Sequence, residues 1–388
     1  MNLNNRLAIV LKIKLPVLCL VCITTVLFGL WPLNFHSENQ VHWFHNQNGI
    51  QFHKQGVSSR FSKRGIVYSP ERVDILSGSS AYRPMTIEIG VESKSEAHHG
   101  LGYILSFYDG KSQEPLIIAQ WISHLVIRSR TNRRDSRNQY REIGLRNALR
   151  VNRRSLITLA SGKESTEIYV NGELAQSFPM ASFIGLNYID GQLVLGNSST
   201  GANPWAGNLY VLAIYDRQLL PEQIQQNYKN WTQIEETQMG PQNNPVAFYS
   251  FDERDGSYVH NSVDDKNHLR IPSTFTFLKR NILMPFWDDF DFSRGLVADV
   301  VINVFGFIPF GYCLITYLMI IRQSHRGLAY LATILSGACL SLVIEITQIC
   351  LPTRHSSLRD LVCNTLGAVL GIALLNVYLH VSRNRARK

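Results

Sequence analysis

The chain has 388 residues, 45% of them hydrophobic and 17% charged, with a formal net charge of +9. Its mean hydropathy near zero would suit an ordinary soluble protein, and its length allows two or three domains. The apolar residues are gathered at the two ends, however, which excludes one uniformly soluble body, and all six cysteines fall in those apolar stretches. A disulfide framework is therefore excluded for the middle of the chain, which must fold on its core alone.

The first element runs from Leu15 to Leu33, uncharged and close to the roughly 20 residues that a spanning helix needs. Arg6, Lys12 and Lys14 precede it. It can be read as a cleaved signal peptide or as an uncleaved anchor. No small-x-small cleavage site follows, and Trp31-Pro32 sits where an interfacial anchor belongs, which favours the anchor.

The region 35–275 reads as all-β. Short alternating runs recur at Met85 to Val91, Tyr103 to Phe107, Leu116 to Ile122, His124 to Arg128, Ser155 to Ala160, Glu167 to Val170 and Gly191 to Leu195. Asp109-Gly110, Asn171-Gly172 and Asp190-Gly191 punctuate them as turns. Many short strands with few helices predict a two-sheet sandwich. One amphipathic helix is expected over Pro221 to Trp231, with Ile224, Tyr228 and Trp231 on one face.

Three segments of this region, Thr86-Ile87-Glu88-Ile89, Ile168-Tyr169-Val170-Asn171-Gly172 and Gly191 to Asn197, lead on to Trp205-Ala206-Gly207 and Ile214-Tyr215-Asp216-Arg217. Together they resemble the laminin-G-like, or concanavalin A-like lectin, sandwich over a core of 48–232. That resemblance implies glycan binding, although fold alone does not establish function. Ala247 to Glu253 is similar to the opening strand of such a domain and is expected as an edge strand. Glu88 and Glu92 share a strand face, but their surroundings do not fit the paired carboxylates of the related glucanases, so a non-catalytic module is favoured. No cofactor and no metal are expected, since no calcium loop rich in Asp and Asn is visible.

Arginines crowd the stretch from Arg128 to Arg154, with Arg128, Arg130, Arg133, Arg134 and Arg137 forming the first candidate site. It is either a solvated hairpin rim or a contact for anionic envelope polymers or lipid headgroups. Nucleic acid is not an expected partner of a region outside the cytoplasm.

Residues 276–296 form a connection in which Phe277, Phe286, Trp287 and Phe290 stand among Asp288, Asp289 and Asp291. It is expected at the membrane interface, with a flexible tether as the alternative. Three apolar spans follow within 297–381, at Val297 to Ile321, Leu328 to Leu351 and Leu361 to Val381. Arg322, His325 and Arg326 sit between the first two, and a basic tail at 382–388 carries Arg383, Arg385, Arg387 and Lys388. By the positive-inside rule both are cytoplasmic. Four helices in all, including the one in 1–34, then place residues 35–294 outside, in a bacterial inner membrane.

Each C-terminal span carries a polar pair at helical spacing: Asp299 and Asn303, Glu345 and Gln348, Asp360 and Asn364, with Arg354 in the loop beside them. Carboxylates cost a few kcal/mol each inside a bilayer, so they are expected to face partners or a water-filled cavity. One reading is a structural network pinning the helices, with Arg354 satisfying the acids; the other is a pocket for a headgroup, glycan terminus or proton. These residues, with Phe307-Ile308-Pro309-Phe310-Gly311, Gly367 and Gly371, resemble the VanZ-like membrane family. The fold class expected is thus mixed: a concanavalin A-like sandwich plus a four-helix VanZ-like membrane domain. Its function is expected to be non-enzymatic glycan or polymer binding, with an enzyme or transporter acting through Glu345, Arg354 and Asp360 as the rival. Membrane lipid is the other expected partner, and the oligomeric state is left open.

Overall fold

The computed structural model describes residues 3–31, 33–52, 65–73, 84–95, 97–110, 114–130, 140–179, 191–233, 240–280, 282–285, 294–321, 325–351 and 356–385. It comprises two compact units, Ser37–Lys279 and a second made from Met1–His36 with Arg280–Lys388.

The first unit is a pair of antiparallel sheets, each of eight strands among the described residues. Sheet one contains β1 (Val41–Trp43), β2 (Ile50–Phe52), β4 (Met85–Ser93), β9 (Arg154–Ser161), β10 (Ser165–Val170), β11 (Glu173–Pro179), β13 (Gly207–Tyr215) and β14 (Ala247–Tyr249). Sheet two contains β3 (Val67–Tyr68), β5 (Ala97–Tyr108), β6 (Leu116–Ile122), β7 (His124–Arg130), β8 (Tyr140–Leu145), β12 (Gln192–Leu195), β15 (Tyr258–Val259) and β16 (Leu269–Arg270). Strand alternation sends Ile87, Ile89 and Val91 of β4 into one core with Leu105 and Phe107 of β5 and Ile118 of β6. The strands expected from the alternating runs all form. Ala247-Phe248-Tyr249 joins sheet one as an edge partner of β13.

Local chemistry fixes the corners. Asn171 and Gly172 take positive φ (55° and 79°) between paired Val170 and Glu173, the two-residue hairpin turn that Asn-Gly favours. The Trp-x-Gly motif has a steric reason as well: a Cβ on Gly207 would lie 2.2 Å from the Trp205 ring, and the buried indole donates to Gln120 Oε1 at 2.7 Å. Chain entry and exit are tied together, because Phe275 N donates to Ser37 O (2.9 Å) and Asn39 N to Ser273 O (3.1 Å).

β13 is buried on both faces, which departs from simple alternation. Helix α2 (Pro221–Gln233) explains it by covering the outer face of sheet one, where Leu219 and Ile224 pack on Leu156, Tyr169, Val211 and Tyr215.

The second unit holds α1 (Leu3–Gly29), α3 (Arg294–Ile321), α4 (Arg326–Gln348) and α5 (Leu358–Arg385). Its polarity is inverted. Thr333, Ser341, Glu345, Gln348 and Asn364 are buried, whereas Phe305, Leu335, Leu374 and Val377 are exposed. Water would penalise so much apolar surface, and hydrocarbon would not. Three helical stretches, Val297–Ile321, Arg326–Gln348 and Leu358–Arg385, are long and apolar enough to cross a membrane. The expected fourth span is not among them: the apolar stretch described within α1, Lys14–Gly29, is shorter than 18 residues. Val21, Cys22 and Val26 of α1 nevertheless pack on Phe307, Phe310 and Ile344.

α3 continues unbroken through Pro309 and runs parallel to α5 at backbone contact. A Cβ on Gly367 would meet Val304 O at 2.2 Å, one on Gly371 would meet Ile308 O at 2.5 Å, and one on Gly311 would meet Ala368 O at 2.2 Å. Small residues here let the helices approach where no hydrophobic drive exists between them. Backbone atoms cannot swing aside, so Gly371→Leu is expected to force α3 from α5. The overpacking cost is about 1–3 kcal/mol or more, read as a lower thermal midpoint of the detergent-solubilised protein.

Candidate functional site

In the helical unit the spacing of α4 builds the site. Ser341, Glu345 and Gln348 lie at i, i+4 and i+7 on one buried face. Glu345 is 1% exposed, and its Oε2 accepts the backbone N–H of Ser357 at 2.8 Å. Ser357 itself caps α5, its Oγ accepting Arg359 N at 3.2 Å. The carboxylate therefore sits at the positive end of α5, where the exposed N–H groups and the helix dipole favour negative charge. Gln348 Nε2 donates to Gly29 O of α1 at 2.8 Å, and Asn364 Nδ2 donates to Ser341 Oγ at 2.9 Å.

Two acceptors in this cluster are unused. Gln348 Oε1 and Asn364 Oδ1 are buried with no hydrogen-bond donor among the described residues. Asp360 is half-buried in the first turn of α5, its Oδ1 3.5 Å from Arg359 Nε. Asn303 is half-buried on α3 and Asp299 is exposed there, while Arg354 lies outside the described residues. The structure thus joins Glu345 to Ser357 and Asn364 to Ser341, and leaves Asp299 on an open face. Sequence reasoning did not include Ser341 and Ser357, although Ser341 stands one helical turn before Glu345 on the same face and was legible from spacing.

In the sandwich, Arg128 and Arg130 are half-buried on β7, and Arg128 Nε pairs with Glu142 Oε2 at 2.6 Å. That pair lowers the positive charge offered by the patch. Arg133, Arg134 and Arg137 lie outside the described residues, as do Phe286, Trp287 and Phe290 of the connection.

A further polar site lies beneath α2. Glu88 is buried on the outer face of β4 and accepts from Asn227 Nδ2 (2.8 Å), Tyr215 Oη (3.1 Å) and Thr158 Oγ1 (3.2 Å). Burial pushes its carboxyl up to about 7 against the opposing pull of these three donors. Glu88, Tyr215, Asn227, Asn230, Trp231 and Phe248 line a small cavity here, and Trp231 Nε1 is buried with no acceptor among the described residues. Further along β4, on the same face, Glu92 takes hydrogen bonds from Lys94, Tyr210 and Asn208. Burial raises its pKa, but these bonds outweigh it and hold the carboxyl below its ordinary range. The two acids share a face as their spacing predicts, but each is engaged by a different set of donors. Among the described residues no group of three His, Cys, Asp or Glu side chains could hold a metal.

Glu88 gives a pH dependence of definite sign. Its folded pKa lies above the usual carboxylate value, so the folded state binds the extra proton. The stability it contributes is complete below about 4.5 and is lost as pH rises to about 7. Sandwich stability is expected to fall by a few kcal/mol at most over that window from this group. Glu88→Gln should remove that component, measured as the pH dependence of the urea midpoint.

A family model described as VanZ/LLP1 matches residues 245–379, and a laminin G model described as the concanavalin A-like lectin/glucanases superfamily matches residues 109–225. The chain therefore carries both resemblances read from its sequence. The VanZ/LLP1 match begins ahead of α3 and includes β14, β15 and β16. No curated protein matches the chain. Among solved structures it is similar to the receptor-binding domain of botulinum neurotoxin D, with 13% identity, TM-score 0.34, and 49% of this chain and 47% of that one covered. It is also similar to the binding domain of botulinum neurotoxin DC in complex with rat synaptotagmin II, with 15% identity, TM-score 0.38, and 50% and 46% covered. A Bacteroides ovatus protein proposed to bind carbohydrate aligns at 14% identity and TM-score 0.36, with 55% and 60% covered. The chain spans about half the length of the first of these structures.

Proposed function

We propose that this is a bacterial envelope protein whose sandwich binds a glycan or anionic envelope polymer outside the cytoplasm without turning it over, while the helices anchor it and contact lipid. The observation that carries this reading is the union, in one chain, of a lectin-type match with a VanZ/LLP1 match over helices whose polar residues are buried and whose apolar residues are exposed. In the topology we propose, α1 crosses as a short span with its N-terminus in the cytoplasm. Arg326 at the start of α4, with Arg383 and Arg385 in the last turn of α5, marks the cytoplasmic side. The sandwich, inserted between α1 and α3, then lies outside.

A second reading is an enzyme or transporter of lipid-linked envelope material working through Glu345, Arg354 and Asp360. The buried acceptors Gln348 Oε1 and Asn364 Oδ1 favour it, since both are free to take hydrogen bonds from a bound headgroup or water.

Full-length protein in detergent is expected to bind members of a glycan and polyanion array saturably; no binding to any of them overturns the first reading. The variants Glu345→Gln and Asp360→Asn separate the two. If both insert and fold normally, keep saccharide binding and leave the turnover of lipid-linked saccharide in membranes unchanged, the second reading fails. Altered turnover with binding intact supports it.

A further inference from the structure

The β6–β7 hairpin holds a strained residue beside an exposed aromatic. Trp121 pairs with His124, leaving a two-residue loop, Ile122-Ser123, whose first residue has φ 56°. Glycine is at home there; β-branched Ile is not. The surroundings hold it in place. Buried Gln120 donates to Ile122 O at 2.5 Å, Leu149 N donates to Ser123 O at 2.9 Å, and Ser123 Oγ donates to Asn147 Oδ1 at 2.8 Å. Asn147 N–H in turn donates to His124 Nδ1 at 3.1 Å, which leaves the proton of a neutral imidazole on Nε2.

These bonds do not bury the tip. Trp121 is 48% exposed, its ring 5.6 Å from that of His124. The segment bonded to the hairpin brings exposed Arg146, Arg150 and Arg153, and no acidic residue lies between Arg146 and Arg153. An exposed indole, an imidazole donor and a segment carrying a run of guanidinium groups are thus tied together at one end of the sandwich.

We propose that the β6–β7 tip is a binding platform for an anionic saccharide, with a pyranose ring on the Trp121 face and its carboxylate, sulfate or phosphate held by the arginines of the 146–153 segment. An aromatic face carries negative charge density and favours the polarised C–H face of a sugar, while arginine selects planar or tetrahedral oxyanions. The proposal rests on the binding reading above and gives it a location and a ligand class.

The test uses full-length protein in detergent, with polygalacturonate as the probe and neutral dextran as its control. Trp121→Ala is expected to weaken polygalacturonate binding about tenfold, the usual scale of an aromatic contact. The double variant Arg146→Glu, Arg150→Glu should weaken it and flatten its salt dependence. Leu174→Ala, at an exposed position on β11, should bind as the parent does. Unchanged thermal midpoints for the three variants exclude misfolding, and Trp121→Phe, expected to restore most of the binding, isolates the ring if the alanine variant unfolds. Parent-like binding by Trp121→Ala overturns the platform while leaving the binding reading in place. Equal binding of dextran overturns the anionic class. If the parent binds no saccharide at all, both fall.

Discussion

Glu345 sets the terms for the helical unit. A carboxylate with almost no exposure among apolar helices needs partners, and it finds one at the entrance of α5, where unpaired N–H groups need an acceptor as much as the acid needs donors. The same bond that answers the charge also fixes α4 against the start of α5. From there the rest follows: Asn364, nearly two turns into α5, reaches Ser341, and Gln348, one turn beyond Glu345, reaches Gly29 of α1. The polar stripe of α4 is therefore a seam with a partner at successive levels, flanked by helix backs made of Leu, Val and Phe.

Packing supplies the remainder by a different means. α3 and α5 touch through glycines at 311, 367 and 371. One pair of helices is specified by hydrogen bonds and the other by the absence of side chains. Both devices suit a setting in which burying apolar surface gives no advantage, because the solvent is as apolar as the core. The sandwich obeys the opposite rule, with a core of Ile, Leu and Phe between its sheets and a second apolar layer under α2.

Much of this was legible in the residues. Period-two alternation located β4, β6 and β9, Asn171-Gly172 located its hairpin, and the i, i+3 spacing of Glu345 and Gln348 located the polar face of α4. Three features were not legible for physical reasons. β13 is buried on both faces because a helix covers it, and a covered strand loses the alternation that marks an open one. The exposure of Asp299 depends on how α3 is rotated against α5, which glycine contacts decide and a polar pair on one helix cannot. The Glu88 network draws on β4, β9, β13 and α2, residues up to 139 positions apart, so no local pattern announces it.

The hydrogen bonds from Phe275 to Ser37 and from Asn39 to Ser273 mean that the sandwich begins and ends at the same place. A module closed in this way imposes no separation on the segments it interrupts, whatever its own size.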